Sequence, residues 1–264
     1  ISLLQRFVVI AVTIPLRRRE IAVLEIIVVV GPRRPRLFRL AVVFRRFALL
    51  VPACHARVSA LSLAAAMGRG FVYVDLTIPI VPAAILFDLA HGGDKNWNTN
   101  PYRDLGAQAL AAASEDFSLG TVGAGVGATT AGLKGGLGSA SLVIDGGFTV
   151  GALVGANPTG GVTSADGHFW AAPWEIGDEF GGRGAYPHPV PFAQSVKTKK
   201  DALIEIANTT IAIVATDADL TKTQLKRFAV AAQDGMARAI SPAHTLVDGD
   251  LIFGVEAGNS VENI

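Results

Sequence analysis

A run of β-branched residues late in the chain constrains the fold more than any other stretch. Ile206-Ala207-Asn208-Thr209-Thr210-Ile211-Ala212-Ile213-Val214 reads as a loop running straight into a buried strand. Thr209, Thr210, Ile211, Ile213 and Val214 are β-branched, which suits a pleated, packed surface. Asn208 favours a turn, because its side chain competes for nearby backbone groups. If the Asn208–Thr209 bond were cut, Thr209 would become a chain terminus. Its α-amine, with a pKa of roughly 7.7–8.0, would lie within reach of its own hydroxyl, the Thr/N-terminus form of nucleophile activation. The plainer alternative is a strand start with no chemistry, and these nine residues leave both open.

The 264 residues suit one large domain or two small ones, and half of them are apolar. Cys54 is the single cysteine, so no intrachain disulfide forms and a reducing, cytoplasmic setting is expected. The net charge of +1 conceals an asymmetry. Residues 1–70 hold twelve Arg and two Glu; residues 71–264 hold eleven basic and twenty acidic groups. This shift sets residues 1–70 apart as an atypical Arg-rich segment, followed by a domain over 71–264. The apolar runs 7–16 and 21–31 are shorter than the ~20 residues that span a bilayer. Basic clusters follow the runs and repeat, unlike a secretory signal. The segment reads as core elements, as a poorly folded stretch or as the product of a reading-frame error, rather than as a basic arm or a membrane-surface helix. Neither a nucleic-acid nor a membrane partner is expected.

From residue 71 the pattern is that of a folded domain. Alternation of Val72, Val74, Leu76 and Ile78 predicts a strand, broken by Pro79 and Pro82. Residues 102–115 have helical spacing, with Leu105, Ala109, Ala112 and Ala113 on one side. His91 and Asp94 lie in a polar loop, without a second His or Cys at ligand spacing, so neither a metal nor a cofactor is expected. Residues 120–138 are rich in glycine but match neither a dinucleotide fingerprint in its βαβ context nor a phosphate-binding loop. Glycine here permits close backbone approach, and free N–H groups could bind a developing oxyanion. Lys134 is the one charged residue in the stretch. It is either a half-buried site lysine or a solvated loop lysine.

Residues 142–154 predict a hairpin turning at Asp145-Gly146-Gly147. Asn157 then falls at a strand end, either as a site residue or as a turn Asn before Pro158. Residues 158–200 read as a long surface loop carrying Lys197, Lys199 and Lys200. Thr221-Lys222-Thr223-Gln224 is a capping box opening one helix, with Leu225, Phe228, Ala232 and Met236 on its inner face. A strand over 251–255 follows Asp248-Gly249-Asp250. Two carboxylates two residues apart share a side of extended backbone. One could orient the Thr209 amine and the other its hydroxyl; alternatively they belong to an Asp-Gly turn.

Taken together and in this order, six pieces resemble the DmpA-like (P1-type) N-terminal nucleophile amidohydrolases. They are Pro79-Ile80-Val81-Pro82-Ala83-Ala84-Ile85-Leu86-Phe87-Asp88-Leu89, Gly123-Ala124-Gly125, Gly132-Leu133-Lys134-Gly135-Gly136-Leu137-Gly138, Val150-Gly151-Ala152-Leu153-Val154 with Asn157, Asn208-Thr209-Thr210-Ile211, and Asp248-Gly249-Asp250. Threonine after asparagine makes the chain most similar to the branch of endo-type 6-aminohexanoate-oligomer (nylon) hydrolases. The resemblance implies an α+β fold, an αββα sandwich self-cleaved between Asn208 and Thr209 into a larger chain (1–208, with 71–208 its part of the domain) and a smaller one (209–264). It implies Thr209 as nucleophile of an acyl-enzyme mechanism. Lys134 and Asn157 would be polar partners at the oxyanion, and Asp248 and Asp250 the carboxylates that set protonation. The implied partners are an oligomeric or small amide substrate and further copies of the chain, as a dimer or tetramer. Two alternatives accompany it: an aminopeptidase or esterase on D- or β-amino-acid peptides, and a non-catalytic family member. Residues 1–70 do not match the family's opening strands.

Overall fold

The computed structural model describes residues 44–45, 71–73, 76–78, 84–88, 96–98, 105, 108–109, 112, 117–186, 198–199 and 208–256. Its centre is a four-stranded mixed sheet in the order β5-β6-β7-β8, comprising Gly136–Val143, Thr149–Ala156, Ile211–Thr216 and Leu251–Glu256. The first three strands are antiparallel neighbours, whereas β8 runs parallel to β7.

The β5–β6 hairpin forms where its turn chemistry places it. Gly146 and Gly147 take φ of +93° and +83°, a region that side-chain-bearing residues avoid. Strand β5 nevertheless begins at Gly136, six residues before the expected Leu142, so the end of the glycine-rich stretch is part of the sheet. Pairing from Gly136↔Ala156 to Val143↔Thr149 supplies the hydrogen bonds that glycine's low strand preference does not predict.

Strand β7 is buried along its whole length. Ile211 and Ile213 face a cluster with Leu86, Ala124, Ala128, Leu137 and Leu153. Ala212 and Val214 face the opposite way, against Ile252, Met236 and Ile240. A strand packed on both faces reads as a continuous apolar run rather than an alternating one, which is what the sequence shows. Helices α1 (Lys222–Ala231) and α2 (Gln233–Ala239) cover the second face. The capping box is present, with Thr221 N donating to Gln224 Oε1 at 2.8 Å. The single expected helix is broken at Ala232, just before Gly235, although Met236 still reaches the core.

The expected strand through Val72 and Ile78 is instead two short strands, β2 (Phe71–Tyr73) and β3 (Leu76–Ile78), paired antiparallel with Tyr73 opposite Leu76. Alternation persists through a tight reversal, so it does not distinguish one strand from two. Phe44–Arg45 (β1) pairs in parallel with Ala84–Ile85 (β4). The described positions within 102–115 are helical at Leu105, Gln108 and Ala109. His91, Asp94, and residues 1–70 apart from β1 lie outside the described residues. Among the described residues no helix is long and apolar enough to cross a membrane.

Candidate active site

The parallel ladder between β7 and β8 continues beyond both strands and builds the site. Asn208 bridges to Asp248, Gly249 N donates to Asn208 O at 3.2 Å, and Leu251 N donates to Thr210 O at 3.0 Å. This register sets residues 208–210 against 248–250. Asn208, Thr209 and Thr210 are all buried. A Cβ at Gly249 would lie 2.9 Å from Thr209 Oγ1, so a glycine is what lets the two segments close there. The Thr209 hydroxyl donates to the carbonyl oxygen of Asn208, the residue before it. Both side-chain polar atoms of Asn208 are buried without a partner among the described residues.

Asn157 follows β6 directly and is wholly buried. Its Oδ1 accepts from Thr129 N at 3.0 Å and from Lys199 Nζ at 2.9 Å, and its Nδ2 donates to Phe87 O at 2.7 Å. Its backbone oxygen accepts from Thr209 N at 2.8 Å, with Lys199 Nζ at 3.5 Å. Asn157 thus joins four separate segments and holds the amide of Thr209.

Lys199 is the residue that the sequence analysis placed incorrectly. Rather than lying in a surface loop with Lys197 and Lys200, it is 1% exposed. Lys199 N donates to Thr159 O at 2.9 Å and Thr198 bridges to Gly160, which fixes the backbone there. Burial pushes its pKa down to about 8, against the opposing pull of Asp248 and Asp88. The one signal available was proximity to Asn208. Three lysines within four residues carry no pattern that singles out Lys199.

The two aspartates hold different partners. Asp248 Oδ1 accepts from Thr159 N (2.9 Å) and Thr159 Oγ1 (2.8 Å), and its Oδ2 from Thr245 N (2.9 Å) and Thr245 Oγ1 (2.7 Å). It clamps the segment after β6 to the loop before β8. Asp250 Oδ1 accepts from Thr210 N at 2.8 Å, and its Oδ2 meets His244 Nδ1 at 2.9 Å. His244, at φ +53°, has no counterpart in the sequence-derived site. The Asp250 carboxylate thus bonds the amide next to Thr209, whereas Asp248 bonds Thr159 and Thr245 and meets Asn208 through the backbone bridge.

Lys134 is exposed, which corrects the half-buried alternative, and its Nζ donates to Val126 O at 2.6 Å. It closes a tight turn, bridging to Thr129 and following exposed Gly132 and Leu133. The turn touches the site through Thr129 N on Asn157, not through the ammonium. Several N–H groups of this stretch bond within it, including Gly125 to Val122 and Gly135 to Ala128. The donor on the Asn208 carbonyl comes from Gly249 instead.

The Thr209 hydroxyl thus sits on a carbonyl that a backbone N–H already polarises, an arrangement suited to acyl transfer. Among the described residues no three or more His, Cys, Asp or Glu side chains group as metal ligands do.

An uncharacterized aminopeptidase of Mycobacterium tuberculosis is 41% identical over 210 residues, covering 76% of this chain and 60% of that protein. The β-peptidyl aminopeptidase BapA of Sphingosinicella microcystinivorans is 32% identical over 158 residues, 56% of this chain and 36% of that protein. This chain therefore spans about 60% of the length of its mycobacterial relatives. Among solved structures, the L-aminopeptidase D-Ala-esterase/amidase of Ochrobactrum anthropi, described as a variant of the ntn hydrolase fold, superposes with a TM-score of 0.52 at 25% identity. That match covers 83% of this chain and 54% of the other. The model of peptidase family S58 matches residues 51–263, and the chain belongs to that family.

Proposed function

We propose that this chain is a self-processing N-terminal threonine amidohydrolase. The observation that carries the proposal is the Thr209 hydroxyl seated on the Asn208 carbonyl, with Gly249 N–H on the same oxygen. In self-cleavage Thr209 Oγ adds to that carbonyl carbon, and the C–N bond to Thr209 breaks. The hydroxyl proton ends on the Thr209 nitrogen, and an ester links Asn208 to the Thr209 oxygen. Water then hydrolyses the ester and leaves a free amine at Thr209. The Asn208 amide, without a partner among the described residues, supports this direction of reaction, because a buried polar group without a hydrogen bond costs about 1–3 kcal/mol. Cutting the chain frees that residue to move.

In the processed protein the Thr209 amine acts as base for its own hydroxyl, which attacks a substrate amide to give an acyl-enzyme. Asn157 O is placed to hold the amine, since it already accepts from the same nitrogen. Asp250 fixes the following amide, and Asp248 holds the segment after β6 against the loop that pairs with Asn208. By resemblance Lys134 and Asn157 serve the oxyanion; for Lys134 this requires its ammonium to leave Val126 O and turn into the cleft.

The substrate class favoured by the relatives is a short peptide with a free amino terminus, as their names describe aminopeptidases. Linear 6-aminohexanoate oligomers are the second candidate, supported by threonine after asparagine at the cut.

Mass spectrometry of the purified protein tests the first step: a fragment beginning at Thr209 is expected, and an intact chain overturns the proposal. Release from free-amine dipeptides against amino-capped 6-aminohexanoate oligomers separates the two substrate classes. Hydrolysis of the capped oligomers selects the second.

A further inference from the structure

Lys199 stands outside the resemblance and outside every role assigned above, yet it is the most deeply buried charged group beside the scissile bond. Its ammonium donates to Asn157 Oδ1, an oxygen that Thr129 N already satisfies, and approaches Asn157 O, which holds the Thr209 amide. Packing does not explain an ammonium here. A neutral side chain of similar length would fill the space without the desolvation that lowers the pKa of Lys199. Its backbone is pinned independently through Thr159 O and the Thr198–Gly160 bridge, so the segment does not need the charge for anchorage. The charged groups acting on the ammonium include Asp248, itself clamped to Thr159, and the buried Asp88.

Resting on the self-processing proposal, we infer that Lys199 is the positioning residue of the self-cleavage step. Its ammonium holds Asn157 Oδ1 and lies 3.5 Å from Asn157 O, and by fixing this residue it fixes the Thr209 nitrogen, so that the Thr209 hydroxyl stays over the Asn208 carbonyl. Without the charge, Asn157 keeps its bonds to Thr129 and Phe87 but its backbone oxygen is less firmly placed. The scissile amide then samples orientations in which the hydroxyl misses the carbonyl. Misplacement on this scale costs cleavage rate rather than fold.

The test follows self-cleavage of the chain over time in cell-free translation, reading the fragment that begins at Thr209 on denaturing gels. Lys199→Ala and Lys199→Met are expected to cleave at least tenfold more slowly than the unaltered chain. Added n-butylammonium is expected to restore Lys199→Ala at least fivefold; 1-butanol, which fills similar volume without charge, is not. Folding of each variant is read by thermal melting in a Thr209→Ala background. Unaltered rates in Lys199→Met overturn the inference, as does equal rescue by butanol or no rescue by butylammonium. Failure of both variants to fold also counts against it, by making Lys199 a stability residue. If the unaltered chain itself stays intact, the self-processing proposal falls, an outcome distinct from a cut chain that is indifferent to Lys199.

Discussion

Two segments meet at Asn157 Oδ1: the glycine-rich turn through Thr129 N, and the 198–199 segment through Lys199 Nζ. Each carries a lysine, and the two could hardly differ more. Lys134 belongs to a recognisable run of glycines yet sits exposed, with its ammonium on Val126 O. Lys199 belongs to no motif yet is buried, with its pKa pulled to about 8. The contrast shows that a motif marks where backbone must approach closely, whereas burial of charge marks where a fold tolerates an energetic cost. The second is the better guide to which ammonium acts on the uncut chain.

The largest expected effect would strip the chemistry from both lysines at once. Thr209→Ala removes the hydroxyl, and neither self-cleavage nor amide hydrolysis should remain. A Thr209→Ala protein that is still cut at residue 208 on denaturing gels would end the assignment. Lys134→Ala comes next. If Lys134 turns into the cleft of the processed enzyme, hydrolysis should slow on the order of 100-fold, as loss of an electrostatic donor does. Stability should change by less than about 0.5 kcal/mol, because the side chain is exposed. Steady-state kinetics and denaturant melts read the two separately, and unaltered kinetics would leave Lys134 a loop lysine.

Lys199 should differ in its pH signature. Its folded pKa of about 8 lies below the ordinary 10.5, so between these values the unfolded chain holds a proton that the folded chain has released. Stability attributable to this residue therefore rises as pH climbs from 8 to 10.5, and the penalty for burying the charge is in full force below pH 8. In a Thr209→Ala background, the difference in unfolding free energy between Lys199 and Lys199→Met chains should shift by roughly 1–3 kcal/mol across that window. A pH-independent difference would mean that the ammonium is solvated. The smallest effect is expected at Asp250→Asn, which keeps the contact to Thr210 N but removes the negative charge. It should displace the pH–rate profile of hydrolysis; an unmoved profile would make Asp250 purely structural.

Sequence patterns captured the frame of the site better than its interior. The run from Thr209 to Val214, the Asp145-Gly146-Gly147 turn, the Thr221–Gln224 box and the strand after Asp250 are local signals, and each appears in the structure. The nearness of Asn208 to Asp248 depends on parallel register between strands far apart in sequence, which the resemblance supplied and periodicity did not. The β2–β3 reversal escaped because alternation survives it. Lys199 escaped because its burial depends on Asn157 and Thr159, forty residues upstream, and leaves no trace in the composition around it.

The location of the proposed cut has one more consequence. New chain ends normally fray, but Thr209 lies two residues before a strand enclosed on both faces and paired with β6 and β8. The terminus created there would be anchored in the middle of the sheet. The halves would remain non-covalently wedded, and heating should release them together, as one cooperative melt rather than two.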